Sequence, residues 1–334
     1  MITRMELGPA SYDIVLERGC LGRAGELLDL NRKVMIVTGE LMPRIYAEAV
    51  AQQCSEPFIY TIPSGEDGKC IPVWEDVLAA MLEAGFTRQD CVCAVGGGVT
   101  GDLAGFAASC YMRGIDFYNI PTTVLSQVDS SIGGKTAVDF RGVKNIVGAF
   151  WQPKKVLIDP ETLKTLPPRQ ISNGLAEALK AGLIADEKLF SLFENADPLN
   201  DPEKLIEAAL AVKKKVVEAD ERESGLRKVL NFGHTVGHGI ESVTGLLHGE
   251  SVALGMIPMC SDEVRTRLIP VLERLALPTS VRADPDEVYS AVLHDKKMSS
   301  GKITVVKVPV PGSFTMESIL PEAIPDLIKM VVHK

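Results

Sequence analysis

Three of the five histidines of this chain fall inside LNFGHTVGHGIESVTGLLHGE, residues 230–250. His234 and His238 are four apart, so on a helix they share one face, and His248 follows a turn signalled by Thr244-Gly245 that can fold it back toward them. Neutral imidazoles are good zinc ligands, and a catalytic zinc takes three protein ligands while leaving a position open for water or substrate. Two histidines with one carboxylate would serve. In the competing reading, Gly233, Gly237 and Gly239 mark a close helix contact and the histidines are hydrogen-bonded core residues; a third histidine beyond the turn favours the metal.

Other stretches carry charge beside glycine. VGGGVTGDLAGFAA (Val95 to Ala108) sits at a strand end and opens a helix, where backbone amides can approach a phosphate at the positive helix terminus. It satisfies G-x-G-x-x-G through Gly96, Gly98 and Gly101, a short motif that a structural glycine turn also produces. PSGEDGK (Pro63 to Lys69) is a second strand-end loop, readable as a cofactor contact or as a solvated turn. PTTVLSQVDSSIGGKTAVDFRGVKNIVGAF (Pro121 to Phe150) places Asp129, Lys135, Lys144 and Asn145 among small residues, where flexible loops can present charges to an anion. In NGLAEALK, Glu177 and Lys180 lie three apart, the spacing of an ordinary surface salt bridge. Lys213-Lys214-Lys215 reads first as a solvated helix face, and His294 and His333 as isolated structural or surface residues. Arg227 and Asn231 are expected on the helical face of His234.

Elements that position these residues follow from apolar periodicity. Short runs at Lys33–Gly39, Phe58–Glu66, Cys91–Gly98, Ile115–Thr123 and Lys154–Pro160, each separated by a helix-sized interval, imply a parallel sheet with crossover helices. Beyond Leu163 the pattern is helical, with segments at Ile171–Ala185, Pro202–Ala219, Gly225–Val243 and Glu250–Leu268 and one later strand at Gly301–Val310. Pro167-Pro168 would stop a helix, which places the junction near Asp159–Pro168. The expected organisation is an α/β nucleotide-binding domain over 1–160 and an all-helical domain over 161–334.

A length of 334 residues suits two domains, and 46% apolar with 24% charged residues is the balance of a globular protein. The net charge of −9 argues against a nucleic acid or an anionic membrane as partner, so local lysine clusters need a local explanation. No run approaches a membrane span and the N-terminus lacks a signal-peptide pattern, so the cytosol is expected. Seven cysteines, an odd number without paired spacing, read as reduced, with Cys91 and Cys93 as buried strand residues.

Taken together, GGGVTGDLAGFAA, PTTVLSQVDSSIGGKT, KNIVGAF, GLAEALK, ADERESGLRKVLNFGHTVGHGIE and HGESVALGM resemble the 3-dehydroquinate synthase family of sugar-phosphate cyclases, over about Lys33 to Val308. The resemblance implies a Rossmann-like NAD-binding domain, a helical metal-binding domain, a divalent metal (zinc or cobalt) between them, and a homodimer. It places the metal ligands on Glu177, His234 and His248, which moves His238 from the metal to the substrate phosphate. Substrate-binding and catalytic positions fall on Asp129, Lys135, Asn145, Lys180, Lys213, Arg227, Asn231 and His238, with Lys296 or Lys297; Arg113 resembles the arginine that reaches a neighbouring subunit's site. NAD contacts fall on Glu66, Lys69, Gly97, Gly98, Asp102, Thr122, Thr123 and Lys144, with Thr165 and Leu166 beside them.

The reaction so implied converts 3-deoxy-arabino-heptulosonate 7-phosphate into 3-dehydroquinate and phosphate, the second step of the shikimate pathway toward aromatic amino acids, with NAD reduced and reoxidised within one turnover. A substrate with a carboxylate and a phosphate explains lysines and arginines in an acidic protein. Two features depart from the family pattern. Thr38-Gly39-Glu40 stands where an Asp or Asn usually holds the adenosine ribose, and 259–278 is shorter than usual. Competing readings are another cyclase making an inosose or a valiolone, a metal-dependent polyol dehydrogenase, and a catalytically silent binding protein on the same fold.

Overall fold

The apolar runs of the first half become strands. In the computed structural model, residues 1–295 and 301–334 are described, and the chain divides into two units, Met1–Leu166 and Pro167–Lys334. The first unit holds strands β1 (Ile2–Met5), β2 (Tyr12–Leu16), β3 (Lys33–Gly39), β4 (Glu56–Ile62), β5 (Cys91–Gly96), β6 (Asp116–Pro121), β7 (Lys135–Phe140), β8 (Val143–Phe150) and β9 (Lys155–Ile158). Its helices are α1 (Ala24–Leu27), α2 (Arg44–Ala51), α3 (Ile71–Glu83) and α4 (Gly98–Cys110).

Seven of these strands form one sheet in the order β1-β2-β9-β6-β5-β3-β4, parallel except for the antiparallel β1–β2 pair. Alternate residues face opposite sides: Val34, Ile36, Cys91, Cys93 and Val95 pack with Tyr46, Ala47 and Val50 of α2, while Met35, Val37, Val92 and Ala94 pack with Val77 and Met81 of α3 and Leu103 and Ala104 of α4. Burial on both faces explains why β3 and β5 read as continuously apolar. The chain leaves β3 for β4 on one side and returns to β5 on the other. That reversal is a topological switch point, and in open α/β sheets ligands bind outside the carboxyl ends of the strands at such a point.

One stretch of the first unit differs from the sequence expectation. The stretch expected to be flexible loop over Pro121–Phe150 is largely ordered: Ser126–Ser130 makes a π-helical turn and β7 pairs with β8 in an antiparallel hairpin. Arg141 and Gly142 at its tip both have positive φ, 50° and 79°, as a two-residue type I′ turn requires. Glycine and charge hid the alternation of this hairpin.

The second unit holds α5 (Pro168–Ala185), α6 (Glu187–Asn195), α7 (Pro202–Ala219), α8 (His234–Thr244), α9 (His248–Met256), α10 (Asp262–Arg274), β10 (Val281–Arg282), α11 (Pro285–Asp295), β11 (Ile303–Lys307), β12 (Thr315–Ile319), α12 (Ile324–Ile328) and β13 (Val332–His333). Helices dominate, and two small sheets, β10–β13 and β11–β12, qualify the all-helical expectation. Pro167-Pro168 opens α5 instead of stopping a helix, because a proline in the first turn has no amide to lose. The helix expected over Gly225–Val243 is broken. Leu226–Asn231 forms a 3-10 segment, and Gly233 at φ +80° turns the chain before α8 starts. Arg227 and Asn231 therefore do not share a helical face with His234, contrary to the spacing argument. Likewise Gly245, at φ +66°, ends α8, and the expected Glu250–Leu268 helix is interrupted at Ile257–Met259 around Pro258.

Candidate active site

Glu177 sits in the middle of α5 with 2% of its surface exposed, and Lys180, one turn on, has 3%. This is not the surface salt bridge that their spacing suggested. His234 opens α8 and His248 opens α9, which brings their rings to 5.1 Å between centroids. Nε2 of His234 lies 3.7 Å and Nε2 of His248 3.5 Å from Oε1 of Glu177, and the three residues offer ligand atoms all within 4.8 Å of one another. Their outer ring nitrogens are held as well. Nδ1 of His234 lies 3.0 Å from the Phe232 carbonyl and Nδ1 of His248 lies 3.3 Å from Oε2 of Glu241.

The packing that makes this possible depends on absent side chains. A Cβ at Gly249 would stand 1.9 Å from the Asn173 carbonyl, so α9 can start against α5 only with glycine after His248. Asn173 Oδ1 then accepts the Gly249 amide at 2.6 Å. Glu250 accepts the Leu247 amide and is itself clasped in bidentate fashion by Arg169 at 2.7 and 2.8 Å. Gly237 and Gly239 press on Ser251 and Val292. The close-contact reading of those glycines and the convergence of the histidines thus hold together, since one requires the other.

Donor chemistry fits a divalent cation. Both Glu177 oxygens are buried and neither accepts a hydrogen bond of normal geometry; Lys180 is in ionic contact with Oε2, and the two imidazoles face Oε1. A tetrahedral zinc with bonds of about 2.1 Å has ligand atoms roughly 3.4 Å apart, near the separations seen. Burial pushes the Glu177 carboxyl up, but the Lys180 ammonium and the His248 imidazole outweigh it and hold the group down to about 2. Burial works against a charge on His248 too, yet Glu177 and Glu241 raise it to about 9. His234 is pushed well below its ordinary value by burial and by the surrounding cations. A cation would replace these imbalanced contacts with three direct bonds.

Around this trio the second unit gathers further polar groups. His238, half-buried, stands 5.1 Å from His234 and 5.8 Å from His248 between ring centroids. Lys180 Nζ donates to the Leu230 carbonyl at 2.9 Å. Asn231 donates to Glu223 at 2.7 Å, and buried Arg227 donates to the Glu221 carbonyl. Lys213 is buried on α7 while Lys214 pairs with Glu218, so the lysine run is only partly a solvated face. Lys296 and Lys297 lie outside the described residues.

In the first unit the expected cofactor residues cluster at the carboxyl ends of β4, β5 and β6. Gly97 caps α4 without a side-chain hydrogen bond, and Gly98 begins the helix; the amides of that first turn have no partner within the helix, which suits an anion. Lys69 Nζ lies 2.5 Å from Asp102 Oδ2. Burial disfavours the Lys69 charge, but Asp102 beside it raises the ammonium above its usual range. Lys144 reaches Glu66 at 3.9 Å. Thr122 bonds the Gly96 carbonyl through its amide, and Thr123 bonds Ser126. Thr165 bonds Tyr46 and Leu166 closes the unit. At the unusual Thr38-Gly39-Glu40, Glu40 accepts the Ser64 amide at 3.3 Å.

Asp129 lies in the π-helical turn and Lys135 starts β7, exposed. A register shift in the hairpin, where Val138 faces Val147 but Phe140 faces Val143, sets Lys144 and Asn145 against Asp139. Asn145 takes φ +55° there and its amide bonds Asp139 at 2.7 Å, so a bulge aims these two side chains. Arg113 is exposed in a left-handed turn with Met112. Sequence reasoning did not single out Glu241, Glu250, Asn173 or Asp220. Glu241 was within reach, because it lies three residues after His238 on the same helix.

Comparison with known proteins bears directly on this site. The family model for the 3-dehydroquinate synthase N-terminal region matches residues 59–173 and that for the C-terminal region matches 174–298. The chain is 41% identical to a 3-dehydroquinate synthase of Enterococcus faecalis, covering 94% of each chain. It is 39% identical to that of Streptococcus pneumoniae over 98% of this chain and 99% of the relative, and 38% identical to that of Thermodesulfovibrio yellowstonii over 99% of both. Among solved structures, 2-epi-5-epi-valiolone synthase of Streptomyces hygroscopicus, with NAD+ and Zn2+ bound, superposes with a TM-score of 0.88 at 28% identity over 97% of each chain. A 2-deoxy-scyllo-inosose synthase in complex with carbaglucose-6-phosphate, NAD+ and Co2+ gives 0.89 at 23%, over 98% and 99%, a likeness of fold. With both family models matched and relatives near 40% identity along almost the whole length, the chain belongs to the 3-dehydroquinate synthase family.

Proposed function

We propose that this protein is a 3-dehydroquinate synthase, a phosphorus-oxygen lyase that turns 3-deoxy-arabino-heptulosonate 7-phosphate into 3-dehydroquinate and phosphate. The observation that carries the reading is the convergence of buried Glu177 with His234 and His248, beside buried Lys180, in a chain related end to end to such enzymes. Glu177, His234 and His248 would hold a divalent metal, and Glu66, Lys69, Gly97, Gly98, Asp102, Thr122, Thr123, Lys144, Thr165 and Leu166 would hold NAD. When bound, NAD would take up and return a hydride and the metal would polarise neighbouring hydroxyls as a Lewis acid.

The chain's own side chains do the positioning. Lys180, Lys213 and Arg227 supply buried positive charge for a substrate bearing both carboxylate and phosphate. Lys135, Lys296 and Lys297 would add to it. His238, half-buried beside the metal trio, would meet the phosphate and move a proton as it leaves. Asn231, Asp129 and Asn145 would orient hydroxyls by hydrogen bonds. Arg113 would serve a neighbouring subunit's site. We further infer a homodimer working in the cytoplasm, and a monomer in light scattering would count against that assembly.

The decisive experiment measures phosphate release from the heptulosonate phosphate, from glucose 6-phosphate and from sedoheptulose 7-phosphate. Turnover of the first alone is expected. Turnover of one of the other two without the first would make the protein an inosose or valiolone type of cyclase instead.

A further inference from the structure

We infer that Glu241 is a positioning residue for the metal: its carboxylate fixes the His248 ring so that Nε2, and not Nδ1, faces the ion. This rests on the metal reading above. The His248 imidazole is held at both ends by carboxylates, with Nε2 3.5 Å from Glu177 Oε1 and Nδ1 3.3 Å from Glu241 Oε2. A ring that gives one nitrogen to a metal must carry its proton on the other, and an acceptor for that N–H fixes which nitrogen it is. Glu241 supplies it, with its own side chain only 10% exposed. His234 solves the same problem with a backbone carbonyl, that of Phe232 at 3.0 Å. The two devices differ in charge, and the anionic one also raises the basicity of its imidazole.

Helix α8 sets this up by spacing. His234, His238 and Glu241 follow one another at intervals of four and three residues and so line one face, while His248 starts α9 opposite. His238, Glu241 and His248 also form a second group with ligand atoms within 4.8 Å, so direct ligation by Glu241 is the alternative that the experiment must separate.

The test uses the full chain as Glu241→Gln and Glu241→Ala, with cobalt affinity measured by chelator competition, the visible cobalt spectrum recorded, and circular dichroism as the folding check. Glu241→Ala should weaken cobalt binding by about 10- to 100-fold. Glu241→Gln keeps an acceptor oxygen and loses only the charge, so it should recover part of the loss and retain the wild-type spectrum. Wild-type affinity in folded Glu241→Ala would overturn the assignment, as would a Glu241→Gln spectrum reporting a changed ligand set, which would make Glu241 itself a ligand. A wild-type chain that takes up neither cobalt nor zinc would bring down the metal reading and this inference with it, and is recognised before any variant is made.

Discussion

Removing a carboxylate from water costs several kcal/mol unless nearby charges replace its hydration, and Glu177 at 2% exposure meets that condition through Lys180 and His248. Its group held down to about 2 and that of His248 raised to about 9 describe one tightly linked set of charges. Truncating one member leaves the others stranded. Glu177→Ala is therefore expected to abolish metal uptake and lower turnover at least 100-fold, while leaving NAD binding largely intact. In metal-free protein it should also cost about 3–5 kcal/mol, because buried Lys180 loses its counter-charge. Metal content by mass spectrometry, NAD titration and thermal unfolding measure the three effects separately. Wild-type metal content in the variant would remove Glu177 from the ligand set.

At the level of elements, the segment that carries Arg227 is shaped by Asp220. This carboxylate ends α7 and accepts four hydrogen bonds, from Ser224 N and Oγ at 2.9 Å, Gly225 N at 2.7 Å and Arg227 N at 2.9 Å. These amides, that of Arg227 first, hold its pKa well below the usual carboxylate range. A depressed folded value means that the contribution is fully present above the unfolded pKa, about 3.9, and is lost as pH falls toward the folded one. The loop should thus keep its shape from neutral pH down to about 4 and loosen only in stronger acid, visible as lost amide protection at residues 224, 225 and 227. Asp220→Asn, which turns an NH2 toward amide donors, should raise KM for the phosphorylated substrate roughly tenfold with kcat and metal content little changed. Unchanged KM together with unchanged amide protection would show that the loop does not need this carboxylate.

The same scale shows what the sequence made legible. Strands β3, β5, β6 and β9 announce themselves because they are buried on both faces and so are largely apolar, whereas the edge strand β4 buries only Ile62. The β7–β8 hairpin was hidden because its register shift and positive-φ residues demand glycine and asparagine in place of an alternating pattern. The break before α8 was missed because one glycine, Gly233, can either continue a helix or leave it, and only the tertiary contacts decide which. For the site, the spacing of His234, His238 and His248 pointed to the cluster that the structure shows but not to Glu177, whose carboxylate joins that cluster from another helix. Family resemblance supplied that partner, and no local rule would have done so.

For the whole molecule, fold alone leaves the chemistry open. A butanol dehydrogenase of Thermotoga maritima superposes with a TM-score of 0.69 at 14% identity over 96% of each chain, a likeness of fold, so the architecture by itself does not tell a synthase from a dehydrogenase. What separates them is whether the bound cofactor is restored before product leaves. In a synthase of the kind proposed, phosphate should accumulate in large excess over NADH, and NAD far below the substrate concentration should sustain complete conversion. Following phosphate release and NADH absorbance in one reaction measures that ratio. One NADH formed per product would place the protein with the polyol dehydrogenases, and its buried lysines and arginine would then need another anion to explain them.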